Sequence, residues 1–118
     1  MPIVHVRGTQ SRASRATRAT LGRIATATAT AVDCPVHEVW CTFEGLAATS
    51  IGERVPEEDE AILYVDLLLA PRPDDVMARA LEATARAAAE SFHTKVENVW
   101  ARLVRIEPGT VFAGGAAL

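Results

Sequence analysis

Residues recur in this chain at an offset of 60 positions, and that repeat constrains the fold more than any other feature. Arg12 falls on Arg72, Val36 on Val96, Val39 on Val99 and Trp40 on Trp100. The chain has two tryptophans in all, so their common register with a loop arginine marks a duplication rather than shared amphipathic patterning. In the first copy, residues 2–6 read as extended and 7–12 as turn-prone. Residues 13–32 follow as an Ala-, Thr- and Arg-rich helix. A strand over 36–46 closes the copy, with Val39, Cys41 and Phe43 on one face and Trp40 and Thr42 on the other. In the second copy, residues 62–69 form a strongly apolar strand and 70–75 a turn. A helix over 74–92 is followed by a strand over 96–106. Pro73 suits the first helical position, and Asp74 and Asp75 suit the positive helix N-terminus. The acidic run 57–60 reads as a solvated connector.

A strand, a helix and a parallel partner strand form a right-handed crossover. Two such units predict an α+β fold with one four-stranded sheet and both helices on one face. The domain spans 1–118, with unit 1 at about 2–54 and unit 2 at about 61–118. The uncovered face is expected to be partly apolar and to call for a partner. At 118 residues the chain can bury a core. Hydrophobic residues make up 49% of it but aromatic residues only 5%, so Ala, Val, Leu and Ile must fill that core. A net charge of −3 gives no bias toward nucleic acid or membrane surfaces. No apolar run approaches the roughly 20 residues of a membrane span, and no signal peptide is expected. Cys34 and Cys41 read as two reduced thiols of a cytoplasmic protein.

Pro2 directly behind the initiator methionine is the strongest chemical signal. Proline permits removal of that methionine, which leaves a secondary amine at the head of a strand. An α-amino group titrates at about 7.7–8.0, and cations or poor solvation lower that value. A neutral amine near pH 7 is a competent general base. The alternative is that Pro2 opens a strand where its missing N–H is not needed. His5, His37 and His93 show no ligand spacing, so no metal is expected. Arg15, Arg18 and Arg23 read as a solvated helix face.

Together, the leading proline, the doubled β-α-β unit, an arginine after each unit's first strand and the late Val111-Phe112-Ala113-Gly114-Gly115 resemble the tautomerase superfamily. The likeness is nearest to its malonate semialdehyde decarboxylase-like group. It implies the tautomerase-like fold, with the family's catalytic proline at Pro2 and loop arginine at Arg12. The decarboxylase's Arg-Pro-Arg falls on Ala70-Pro71-Arg72, so only the second arginine is kept. Its acidic residue falls on Glu38 and its late aromatic on Phe112. The small tautomerases have an arginine on the second strand where this chain has Trp40. The dehalogenases' helix histidine has no counterpart around Ala29, which disfavours dehalogenation.

This resemblance implies an isomerase acting on a small carboxylated enol, keto or semialdehyde substrate, with keto–enol tautomerisation first. Decarboxylation or hydration is the alternative enzymatic reading, and a non-catalytic binding module with Met1 retained is another. Pro2, Arg72 and Glu38 are the expected catalytic residues. Arg72 would grip a carboxylate bidentately and stabilise an enolate, and Glu38 would activate water or orient substrate. Glu38 reads equally as a solvated strand-edge carboxylate. Arg12, Trp40, Trp100, Arg102 and Phe112 are the expected substrate-binding residues, although the aromatics also read as core. Arg102 shares a strand face with Trp100, with Arg105 opposite. A homotrimer is implied, with no cofactor.

Overall fold

The computed structural model describes residues 1–117; Leu118, the last residue of the expected 1–118 domain, lies outside them. The elements run β1 (Ile3–Thr9), α1 (Arg18–Val32), β2 (Trp40–Leu46), β3 (Leu63–Leu69), α2 (Asp74–Ser91), β4 (Val99–Arg105), β5 (Phe112–Ala113) and β6 (Ala116–Ala117). β1 to β4 form one sheet in the order β2-β1-β3-β4. β1 pairs with β2 in parallel, β3 with β4 in parallel, and β1 with β3 antiparallel. The two β-α-β units therefore meet head to tail along the β1–β3 seam. β5 and β6 form a separate hairpin around Gly114-Gly115, where positive φ makes glycine the natural occupant.

Element starts differ from the sequence expectation. Residues Gln10–Arg15 wind as a 3-10 turn, and α1 begins only at Arg18. Thr17 sets that start by accepting the Thr20 N–H at 3.2 Å, an N-cap bond that satisfies an orphan donor. Pro73 caps α2 from outside rather than occupying its first turn, and Asp74 and Asp75 follow at the positive end. The strands expected from 36 and 96 open instead as 3-10 turns, Val36–Glu38 and Val96–Asn98.

The repeat extends to backbone detail. α1 ends at Asp33 with φ 56°, and 60 residues on His93 has φ 54°. Cys34 N–H donates to Ala29 O at 3.0 Å, and Thr94 N–H to Ala89 O at 3.0 Å. The same left-handed exit closes both helices.

The core lies between one sheet face and both helices. Val4, Val6, Leu63, Val65, Leu67 and Leu69 meet Ile24, Ala29, Val32, Met77, Ala80, Ala88 and Phe92. Each buried large aliphatic side chain contributes about 1.5–3 kcal/mol. Small residues let the helices approach closely, and Thr28 and Thr84, both fully buried, share a 2.6 Å hydrogen bond at the crossing. Gly8 is required on this face. A Cβ there would lie 2.7 Å from the Leu63 side chain and 3.0 Å from the Phe43 ring, which stacks on Phe92 with centroids 4.8 Å apart.

The uncovered face is banded rather than uniformly apolar. Trp40, Ile3, Leu68 and Val104 form one row across the strands by register. The next row is Thr42, His5, Asp66 and Arg102. The residues of that row hydrogen-bond to each other in two pairs. His5 Nδ1 and Thr42 Oγ1 are 2.6 Å apart, and Arg102 Nε donates to Asp66 Oδ1 at 2.8 Å. Asp66 thus interrupts the strongly apolar strand expected over residues 62–69.

Candidate functional site

The antiparallel β1–β3 pairing assembles the candidate site. Because Ile3 lies opposite Leu68, Pro2 sits beside the end of β3, and the following turn brings Arg72 to the same edge. β2 runs parallel to β1 and starts opposite Ile3, so the segment from α1 back to β2 returns there too. Trp40 N–H closes the junction by donating to Pro2 O at 3.1 Å. The Pro2 ring is fully buried on the helix side of the sheet, in step with Val4 and Val6.

Cys34 registers which charges converge. Burial is the main cause raising its thiol pKa, and the Glu38 carboxylate raises it further, while the chain's N-terminus and Arg72 pull it down. The amino end, Arg72, Glu38 and Cys34 are therefore electrostatic neighbours at one sheet edge. Among the described residues Arg72 makes no hydrogen bond or salt bridge, so its guanidinium is available for an anion. It also stands just before α2, whose positive end favours negative charge.

Other residues singled out from the sequence lie elsewhere. Arg12 is buried at the opposite sheet edge, where Thr9 N–H donates to Ile62 O at 3.1 Å. Its Nε donates to Phe92 O at 2.9 Å and its Nη2 to His93 O at 3.4 Å. Within one chain, the length of β1 separates it from Pro2, and its donors already serve the end of α2. Trp100 pairs with Tyr64 near that far edge and is 56% exposed. Arg102 is mid-face, paired with Asp66. Trp40 is at the Pro2 edge on the uncovered face, 58% exposed. Phe112, 74% exposed, lies on the hairpin that leaves β4 near that edge, after Ile106 N–H donates to Leu69 O at 3.0 Å.

No family model matches the sequence, and no curated protein matches it either. Solved structures do match. A wild-type fused 4-OT, solved as a symmetric trimer, superposes with a TM-score of 0.81 at 20% identity, over 98% of this chain and 94% of that one. A member of the cis-3-chloroacrylic acid dehalogenase family gives 0.77 at 17% identity, over 98% and 82%. Macrophage migration inhibitory factor of Toxoplasma gondii gives 0.75 at 12% identity, over 98% and 99%. This chain has the tautomerase-like fold.

Sequence reasoning missed Cys34 as a neighbour of the site. The signal was available in the topology: a helix returning to a parallel strand must bring its exit loop to the edge where the first strand begins. It also missed the Asp66 row, whose partners come from three other strands. A cleft of about 580 Å³ lies at the far edge beside Trp100 rather than at Pro2.

Proposed function

We propose that this chain is a tautomerase-superfamily enzyme that uses Pro2, freed by loss of Met1, as general base and acid on a small carboxylated enol or keto substrate. The observation carrying this reading is the convergence of the amino end, Arg72 and Glu38 at one sheet edge.

The pyrrolidine nitrogen takes a proton from the carbon beside the carbonyl. The C–H electron pair becomes the carbon–carbon π bond of an enolate, and the oxygen acquires the charge. Protonation of that oxygen gives the enol. In the reverse direction the pyrrolidinium returns its proton to carbon. Arg72 holds the carboxylate and offsets the developing charge. Glu38, exposed beside them, supports a second reading in which it activates water for decarboxylation or hydration. Trp40 walls the edge, and the protein works as a closed homotrimer.

The test is ketonisation of the enols of phenylpyruvate or 2-hydroxymuconate by protein whose amino end is verified by intact mass. Pro2→Ala should lower the rate by about 10²–10⁴, the usual contribution of a positioned acid–base group. An unchanged rate would remove Pro2 from the chemistry.

A further inference from the structure

Arg105 is a charged group at the Pro2 end of the sheet that the proposed mechanism leaves without a task. By register Ile3 lies opposite Leu68, so Pro2 falls beside Leu69, and Leu69 pairs with Arg105. Pro2, Leu69 and Arg105 therefore stand in one row across β1, β3 and β4. Pro2 and Leu69 are fully buried on the helix side of the sheet. Val99, Ala101 and Leu103 pack against the same core, so strand alternation turns Arg105 to that side as well, away from the uncovered face. Arg105 closes the row exposed, and among the described residues its side chain makes no hydrogen bond or salt bridge.

The duplication shows what is particular about this position. The counterpart of Arg105 in the first unit is Gly45, 60 residues earlier. A Cβ on Gly45 would run into the Gln10 side chain, so at the far edge the turn after β1 covers that position. At the Pro2 edge the turn after β3 presents Ala70 and Pro71, neither long enough to reach across as Gln10 does. The room that Gln10 takes at one edge is taken at the other by a cationic arm, beside the turn that carries Arg72. The charges across this end are also ordered. In the sheet order β2-β1-β3-β4, Glu38 precedes β2, Arg72 follows β3 and Arg105 ends β4. The carboxylate lies on one side of Pro2 and both guanidiniums on the other.

We propose that Arg105 is a second carboxylate-binding residue and that the site accordingly favours dicarboxylated enols over monocarboxylated ones. For its chemistry, though not for the binding itself, this rests on the Pro2 reading. Arg72 holds the carboxylate nearer the reacting carbon. Arg105 lies two strand spacings from Pro2, about 10 Å at the backbone, so it meets a second carboxylate several bonds further along the substrate. A guanidinium engages that group bidentately. A dianion lying over the β3–β4 side also keeps clear of Glu38. A neutral tail leaves Arg105 in water and gains nothing from it.

The test compares ketonisation of 2-hydroxymuconate, which has two carboxylates, with that of phenylpyruvate enol, which has one, by whole protein with a free Pro2. Arg105→Gln should lower the ratio of their kcat/KM values, dicarboxylate over monocarboxylate, at least about tenfold, mainly through KM for the dicarboxylate. Arg15→Gln removes an exposed charge from the turn before α1 at the far edge and should leave that ratio unchanged, which separates a local contact from net charge. A ratio that survives Arg105→Gln overturns the proposal. Equal losses on both substrates overturn it too, because they would put both arginines on one carboxylate. Calorimetric titration with cis,cis-muconate, a dicarboxylate without the enol hydroxyl, reads the contact apart from the Pro2 chemistry. It should bind Arg105→Gln at least about tenfold more weakly than wild type. If neither enol is ketonised, the Pro2 reading falls, and this titration still decides Arg105: equal affinity in the two proteins overturns its role.

Discussion

Arg12 and Arg72 occupy one register position of the repeat and have opposite surroundings. Arg12 is buried with its donors on two main-chain carbonyls that α2 leaves unpaired, while Arg72 is half-buried and makes no bond among the described residues. Their substitutions should therefore separate cleanly. Arg12→Ala orphans the Phe92 and His93 carbonyls, a loss of about 1–3 kcal/mol, and should lower the melting temperature by roughly 5–10 °C. Turnover per folded molecule should stay close to wild type. Arg72→Ala should melt like wild type, yet raise KM and lower kcat for a carboxylated enol, because in the proposed mechanism one group serves both substrate and enolate. Thermal melts and steady-state kinetics on both variants decide the matter; a larger kinetic defect at Arg12 would reverse the assignment. No local pattern distinguishes the two arginines, because the difference comes from partners about 80 residues away in sequence.

At the scale of elements, the acidic run 57–60, which reads in sequence as a solvated connector, also carries a clasp within the segment between β2 and β3. Ile51 and Arg54 bridge through their main chains, and the Arg54 guanidinium clasps Glu60. That hydrogen bonding, chiefly from Arg54 and then from the Glu57 N–H, lowers the Glu60 carboxyl pKa from its ordinary 4.5 to about 2. A depressed acid pKa contributes order that is complete above the ordinary value and lost as pH falls through the depressed one. The segment should accordingly stay clasped at pH 5 and loosen progressively between about 4.5 and 2. The Glu60 carboxyl carbon in NMR should titrate with a midpoint near 2, and the Ile51 amide should follow it; in Glu60→Gln that transition should vanish. A midpoint at 4.5 would show that the clasp does not persist in solution.

Elsewhere the elements were legible. The alternation of Trp40 and Thr42 against Cys41 and Phe43 survives as the two faces of β2. The start of α1 was not legible, because the tertiary bonds of Arg12 favour a 3-10 turn where helical propensity alone would extend the helix upstream. Of the candidate site, the nearness of Pro2 and Arg72 was legible, since strand topology brings both to one sheet edge. Trp100 and Arg102 could not be placed by pattern, since the head-to-tail meeting of the units puts the Trp100 end away from Pro2.

For the whole molecule, the banded face bears on assembly. Two helices cover only one side of the sheet, which leaves the row Trp40, Ile3, Leu68 and Val104 facing outward beside a polar row. A polar row opposes burial only where its groups lack partners. Here Asp66 accepts from Arg102 at 2.8 Å and from Arg7 at 3.5 Å, and the hydrogen bond from Arg102 is the main cause lowering its carboxyl pKa. His5 and Thr42 satisfy each other. The row can therefore enter an interface with little left unpaired, while the apolar row next to it supplies the driving force. Light scattering at micromolar concentration should report about three times the chain mass of 12.6 kDa, a closed ring being the default for repeated copies of one contact. Leu68→Glu sets an unpaired carboxylate in the apolar row and should shift the protein toward monomer with its far-ultraviolet circular dichroism unchanged. Asp66→Asn should weaken assembly less, because it retains an acceptor for Arg102. A wild-type monomer at that concentration, or a Leu68→Glu protein that remains fully assembled, would show that this face is not the contact.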